Sequence, residues 1–78
     1  MKKIVTFNLR NSSKDYSEFY RLIDSFSGVY ITETTCLLKT DSNCLNLVQK
    51  FISVMDINDS ICVIDALHYW ATEKCYKK

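Results

Sequence analysis

Four cysteines and one histidine are the residues of this chain best suited to bind a metal ion. Cys36, Cys44, Cys62 and Cys75 are separated by 8, 18 and 13 positions, and His68 is the only histidine. No Cys-x-x-Cys pair occurs, although structural zinc sites usually contain such pairs. Because free cysteine often packs as a small apolar residue, we expect three buried thiols and one thiol in the C-terminal tail. The spacing therefore predicts no metal site.

Two further groups of residues could do chemistry, and each has a simpler explanation. Asp65 and His68 lie three positions apart near the end of a predicted strand, where alternation places them on opposite faces. We expect a solvated carboxylate and a surface histidine there. Ser12 and Ser13 precede Lys14, but serines at such a position are typical of a helix N-cap. With one glycine, the chain has no glycine-rich phosphate loop. These patterns predict no catalytic site and no cofactor.

The positively charged residues are concentrated at the two ends of the chain. Residues 1–14 carry four positive charges and residues 74–78 carry three, while nine carboxylates lie between them. The net charge of +1 argues against strong electrostatic attraction to nucleic acid. The basic ends nevertheless predict a phosphate-contacting stripe, whose candidate residues are Lys2, Lys3, Lys74, Lys77 and Lys78. The alternative is that these lysines only increase solubility.

The order of strand-like and helix-like segments is the clearest structural signal. Period-two alternation predicts strands, and apolar residues at helical spacing predict helices. Turn-forming residues separate the segments at positions 11–13 and 56–59. The predicted elements are a strand over Lys3–Leu9, a helix from Asp15 to Ser27, two strands within Val29–Thr40 around a Thr32–Thr35 turn, a helix capped by Asp41 or Ser42, and a strand over Ser60–Leu67.

Each predicted helix carries one broad apolar stripe that should pack on the sheet. The stripes are Tyr16, Phe19, Tyr20, Ile23 and Phe26 in the first helix, and Leu45, Val48, Phe51, Ile52 and Met55 in the second. Asp15 or Ser13 is the expected N-cap of the first helix. Gly28 is expected to end that helix in a left-handed conformation.

The resulting order, βαββαβ, predicts a ferredoxin-like α+β fold in a single domain spanning residues 1–78, with residues 69–78 as a short basic tail. Right-handed crossovers place both helices on one face of a four-stranded antiparallel sheet. Apolar side chains remain on the uncovered face, and such a face is normally covered by a partner. We therefore expect a homodimer whose candidate interface residues are Ile4, Thr6, Asn8, Ile61 and Val63, with Val29 and Ile31 beside them.

Several segments together resemble the SinR-like small proteins. They are the opening strand Ile4–Asn11, the helix start Asp15-Tyr16, the segment Tyr30–Thr35, the turn Asp56–Asp59 and the late Trp70. The SinR-like proteins are relatives of the small nuclease-like subunit of the CRISPR adaptation complex (the Cas-two type) and, more distantly, of the VapD toxins. The resemblance covers nearly the whole chain, and it implies a ferredoxin-like homodimer linked to nucleic-acid processing.

The same resemblance bears on catalysis through one position. In the nuclease members, an aspartate near the end of the first strand holds a divalent metal at the dimer interface, and Asn8 stands at the matching position here. A neutral amide supplies one oxygen ligand but no negative charge for magnesium. The resemblance therefore implies a member without metal-dependent nuclease activity.

Two function classes follow from the sequence. The first is a non-catalytic homodimer that associates with double-stranded nucleic acid or with nucleoprotein complexes. The second is a protein-binding module, for example a phage-encoded inhibitor or regulator of a defence complex. No apolar run approaches the roughly 18–20 residues needed to span a bilayer, and we expect a cytoplasmic location with no membrane partner.

Overall fold

A computed structural model describes residues 2–66 of the chain, and its element order confirms the predicted βαββαβ arrangement. The elements are β1 (Lys2–Asn8), α1 (Ser17–Ser25), β2 (Val29–Thr32), β3 (Thr35–Lys39), α2 (Cys44–Ile52) and β4 (Ser60–Asp65). The strands form one sheet in the order β2-β3-β1-β4, and each neighbouring pair is antiparallel. This is the ferredoxin-like α+β fold. No helix within residues 2–66 is long and apolar enough to cross a membrane. The predictions for Cys75, His68, Trp70 and the three C-terminal lysines lie outside the described residues.

The core forms where one face of the sheet meets both helices. Alternation in β1 points Val5 and Phe7 to that face, where both are buried. They pack with further buried side chains from β3 and both helices, namely Cys36, Leu38, Phe19, Ile23, Leu47 and Phe51. The Phe19 ring is central, because its centroid lies 4.8 Å from that of Phe7 and 5.4 Å from that of Phe51. Both helices therefore cover the same face of the sheet, as predicted.

Both ends of α1 differ from the sequence prediction. The N-cap is Tyr16, whose side chain makes no capping hydrogen bond, so the expected N-caps Asp15 and Ser13 were wrong. Asp15 lies one position earlier, and its Oδ1 accepts a hydrogen bond of 2.9 Å from the Ser17 N–H. The prediction for Gly28 was wrong, since the left-handed residue is Ser27, with φ of 55°. Gly28 has a steric role instead. A Cβ at this position would lie 2.4 Å from Ile23 Cγ2 and 2.9 Å from the Ile23 carbonyl oxygen.

The cap and the buried face of α2 differ from the sequence prediction. Asn43, not Asp41 or Ser42, is the N-cap, and its Oδ1 accepts a hydrogen bond of 2.8 Å from the Asn46 N–H. The buried residues of α2 are Leu47 and Phe51. The predicted stripe was wrong for Leu45 and Ile52, which lie at one edge of it, because Leu45 is 65% exposed and Ile52 is 57% exposed. Both side chains lie on a second apolar stripe of α2 that turns away from the core.

The expectation of three buried thiols was also wrong. Cys36 is buried, Cys44 is half-buried and Cys62 is exposed. The cause is strand register, because Cys62 lies opposite Thr6 and shares its face of the sheet, away from the helices.

Candidate interaction surface

An apolar row crosses all four strands on the helix-free face of the sheet. Val29 in β2 lies opposite Leu37 in β3, Leu37 also lies opposite Ile4 in β1, and Ile4 lies opposite Ile64 in β4. Directly opposed residues in a sheet point to the same face, so these four side chains are contiguous. At the two ends of the row, Val29 is 43% exposed and Ile64 is 50% exposed. We call Val29, Leu37, Ile4 and Ile64 the apolar row.

Polar side chains flank the apolar row on both sides. On one side Lys2 lies directly opposite Lys39, and both are exposed; we call these two residues the basic pair. On the other side Thr6 lies between Thr35 and Cys62, and the Thr6 and Thr35 hydroxyl oxygens are 3.4 Å apart. The helix-free face is therefore a shallow surface with aliphatic side chains in the middle, lysines at one end and hydroxyls at the other.

The predicted dimer-interface residues divide between the two faces of the sheet. Ile4, Thr6 and Asn8 lie on the helix-free face, so their proposed contact role is compatible with their position. Ile61 and Val63 were placed wrongly, because they lie opposite Phe7 and Val5 and pack against the core beneath the helices. The run Ile61–Ile64 is apolar at every position. Its sequence has no alternation that could show which residues face the helices.

The predicted lysine stripe loses one of its members. Lys3 shares the core face with Val5, and its side chain is only 3% exposed. Its ammonium group lies 2.8 Å from Asp65 Oδ1, across the strand pair β1–β4. Lys2 stays on the surface, and the structure adds Lys39, which sequence reasoning missed because the β1–β3 pairing could not be read from local patterns. Lys74, Lys77 and Lys78 lie outside the described part of the chain.

Asn8, which the resemblance aligned with a metal-binding aspartate, lies at the end of β1. Its side chain is exposed, Ser60 lies opposite it, and the two border a shallow depression of about 210 Å³ that also touches Thr6 and Cys62. None of the described residues that border this depression carries a carboxylate. Within residues 2–66, no group of three or more His, Cys, Asp and Glu side chains is arranged to hold a metal ion.

A hydrogen-bonded network beyond the Asn8 end ties the β1–α1 loop to the α2–β4 turn. Asp59 accepts hydrogen bonds from the Arg10 N–H at 2.7 Å, from the Tyr16 hydroxyl at 2.7 Å and from the Asp56 N–H at 2.8 Å. The Asn11 side-chain amide donates to Asp56 Oδ2 at 2.9 Å. The sequence predicted the turn at Asp56–Asp59 but not this network, because its partners are more than 40 residues apart in the chain.

The network sets the ionisation of its acidic members. Burial alone raises the pKa of the Asp59 carboxyl, but hydrogen bonds from the Arg10 N–H and the Tyr16 hydroxyl outweigh burial and hold that pKa below its ordinary value. Hydrogen bonds from the Asn58 N–H and the Asn11 amide likewise lower the pKa of Asp56. Burial and the bond to Asp59 raise the pKa of Tyr16. Both carboxylates therefore act as hydrogen-bond acceptors that fasten two loops, and this role accounts for their shifts without catalysis.

Neither a protein-family model, nor a curated protein, nor a solved structure matches this chain. The resemblance to the SinR-like proteins therefore stays a prediction.

Proposed function

We propose that this chain is a non-catalytic binding domain that recognises another protein through the helix-free face of its sheet. The observation that carries the proposal is the apolar row, flanked by the basic pair. A contiguous aliphatic strip with charges beside it is the usual composition of a protein-binding patch, with an apolar centre and a polar rim. The fitting partner presents aliphatic side chains next to one or two carboxylates.

The chemistry of this face favours a protein over a nucleic acid. Proteins that bind single strands stack bases on aromatic side chains. The aromatic side chains among the described residues pack against the core instead, including Tyr30 in β2 and Phe7 in β1. Duplex binding depends on many phosphate contacts, and Lys3 is withdrawn into an ion pair with Asp65.

Association with nucleic acid is the second candidate, and one observation favours it. Lys2 and Lys39 lie directly opposite each other. Two exposed ammonium groups side by side attract anions. A phosphate group or a partner carboxylate would both be attracted, so the basic pair is compatible with either ligand.

Substitution at the exposed end of the apolar row tests the proposal. The tagged chain and its Val29→Lys variant are expressed in the native host and captured, and the recovered proteins are quantified by mass spectrometry. Val29 is 43% exposed on an edge strand, so the variant should fold. Ile57→Lys is the matched control, since Ile57 is 95% exposed and lies outside the helix-free face.

We expect a partner protein whose recovery falls about tenfold with Val29→Lys, as for loss of a contact worth about 1.4 kcal/mol. Its recovery should not change with Ile57→Lys or after nuclease treatment. If no protein depends on Val29 in this way, the proposal is wrong. If the recovered material disappears on nuclease treatment, and with Lys2→Gln and Lys39→Gln together, nucleic-acid association takes its place.

A further inference from the structure

The two edges of the sheet are built differently. The β2 edge has four residues and a register irregularity between Tyr30 and Thr32. A short, irregular edge strand is one of the ways in which proteins prevent unwanted strand pairing. The β4 edge has six residues in regular register with β1, and its sequence, Ser60–Asp65, has no proline and no lysine. Within residues 2–66, this edge therefore has no proline, lysine or bulge to prevent strand pairing.

The hydrogen-bonding pattern shows which backbone groups β4 presents outward. The Ala66 N–H donates to the Lys2 carbonyl oxygen at 3.0 Å. In an antiparallel ladder alternate residues bond to the same neighbour, so residues 60, 62 and 64 also direct their backbone groups to β1. Ile61, Val63 and Asp65 direct their N–H and C=O groups outward. Within residues 2–66 the only strand beside β4 is β1.

Exposed apolar side chains also lie on the helix that contacts β4. Leu45 is 65% and Ile52 is 57% exposed, and both belong to α2. Val48, Ile52 and Ile61 also line a groove of about 390 Å³ between α2 and β4. We call β4 together with the outer stripe of α2 (Leu45, Val48 and Ile52) the β4 edge surface.

We propose that the β4 edge surface binds a second copy of this chain, with the two β4 strands antiparallel about a twofold axis. The sheets then join into one continuous sheet of eight strands, and the two α2 helices lie side by side on one face. The inference rests on the proposed function in one respect, since the dimer doubles the helix-free face that contacts the partner protein. It also moves the homodimer interface away from that face, where the sequence analysis had placed it.

Self-pairing is favoured because the outward backbone groups of β4 match those of a second copy, and because one register brings no like charges of β4 together. With Val63 on the axis, Val63 pairs with its equivalent, and Ile61 pairs with Asp65 of the second copy. Each such pair joins residues whose backbone groups point outward. The side chains of each pair lie on the same face of the joined sheet, the face that carries the helices. In the neighbouring register that places Ile61 opposite Val63 of the second copy, Asp65 would lie opposite Asp59, where like charges repel.

The helix side of the interface also brings no like charges together. Lys50 is the only charged residue of α2, and its ammonium group lies 5.7 Å from the centre of the Phe26 ring, toward α1 rather than toward β4. The outer stripe of α2 can therefore meet the same stripe of the second copy through aliphatic side chains alone. A foreign strand would satisfy the β4 backbone equally well, but it would not supply this matching helix.

Light scattering of the purified chain at micromolar concentration tests the proposal. The parent chain should give about twice its 9.1 kDa mass. Ile52→Lys should give the monomer mass, because it places two ammonium groups in the apolar contact between helices. Val29→Lys is the matched control, exposed on the opposite edge of the sheet, and should stay dimeric. Circular dichroism verifies that each variant is folded, and Leu45→Glu is a second interface variant.

A disulfide tests the strand pairing itself. In a background with Cys44, Cys62 and Cys75 replaced by serine, Val63→Cys places two thiols at a bonded pair with Cα atoms about 5.5 Å apart, within the range for a disulfide. Oxidation should therefore yield a covalent dimer. A monomeric parent chain, a dimer that survives Ile52→Lys, or a dimer that forms no disulfide at this position would overturn the proposal. A monomer that still captures a partner in a Val29-dependent way would leave the proposed function standing and remove only the dimer.

Discussion

Replacing Asp65 with asparagine should destabilise the fold more than replacing Lys3 with methionine, although Lys3 is the more deeply buried side chain. The Lys3 side chain is 3% exposed and its ammonium lies 2.8 Å from an Asp65 carboxylate that is 57% exposed. Asp65→Asn keeps a hydrogen-bond acceptor but removes the counter-charge from a buried cation. Lys3→Met removes that cation and keeps most of the aliphatic stem.

The magnitudes follow from the exposure of the two partners. Breaking a fully buried ion pair costs about 3–5 kcal/mol. Because water reaches the Asp65 carboxylate, we expect a loss of roughly 1–2 kcal/mol in the free energy of unfolding for Asp65→Asn. Lys3→Met should stay within about 1 kcal/mol of the parent, in either direction, since an apolar replacement avoids the desolvation of the charge.

Urea unfolding measures these differences at a protein concentration low enough for every variant to be monomeric, so that dimerisation through β4 does not contribute to them. Glu18→Gln is the control. It removes an ion pair of 3.0 Å whose partners, Arg21 and Glu18, are 72% and 66% exposed, and it should cost less than about 0.5 kcal/mol. The reasoning is refuted if Asp65→Asn costs no more than this control, or if Lys3→Met costs more than Asp65→Asn.

Four further substitutions have expected results. Gly28→Ala should cost about 1–3 kcal/mol because its Cβ would overlap Ile23, while Ser27→Gly should stabilise by a few tenths to about 1 kcal/mol by relieving a φ of 55°; thermal unfolding measures both. Asn43→Ala should cost about 1 kcal/mol in urea unfolding, through loss of the N-cap of α2. Because folding lowers the pKa of Asp59, its contribution to stability is present above its ordinary pKa of 3.8 and is lost as pH falls through the lower folded-state value; Tyr16→Phe should move that pKa upward in an NMR titration.

The fold could be predicted from the sequence because its signals are local. Alternation in Lys3–Leu9 and helical spacing from Phe19 to Ile23 each need only a few neighbouring residues. The order of elements then restricts the topology, since crossovers in a sheet are right-handed. The cap of α2 was missed by one or two positions because Asp41, Ser42 and Asn43 are all good N-caps. Only the backbone geometry decides among them.

The surfaces could not be predicted in the same way, because they depend on contacts between distant residues. Lys2 and Lys39 form the basic pair only because the β1–β3 register places them opposite each other. Lys3 is buried in an ion pair only because the β1–β4 register places it opposite Asp65. Likewise, the hydrophobic spacing of α2 predicts that apolar stripes exist, but not which stripe turns to the sheet. Leu45 and Leu47 are equally apolar, and packing alone buries one and exposes the other.

The misplacement of Ile61 and Val63 carries information about function. A strand that is apolar on both faces is typical of a sheet covered on both sides, whereas a half-exposed strand alternates. The sequence of β4 is apolar on both faces, but only one of its faces is covered within residues 2–66. Both described helices pack on that face, and Ile64 lies half exposed on the other. Ile61 and Val63 already have their partners in the core. Cys62 and Ile64 are apolar side chains exposed on the helix-free face. They are therefore the residues of β4 that we expect to contact a partner outside residues 2–66. Substituting Ile64 with threonine should leave the core intact and weaken only the contact with that partner.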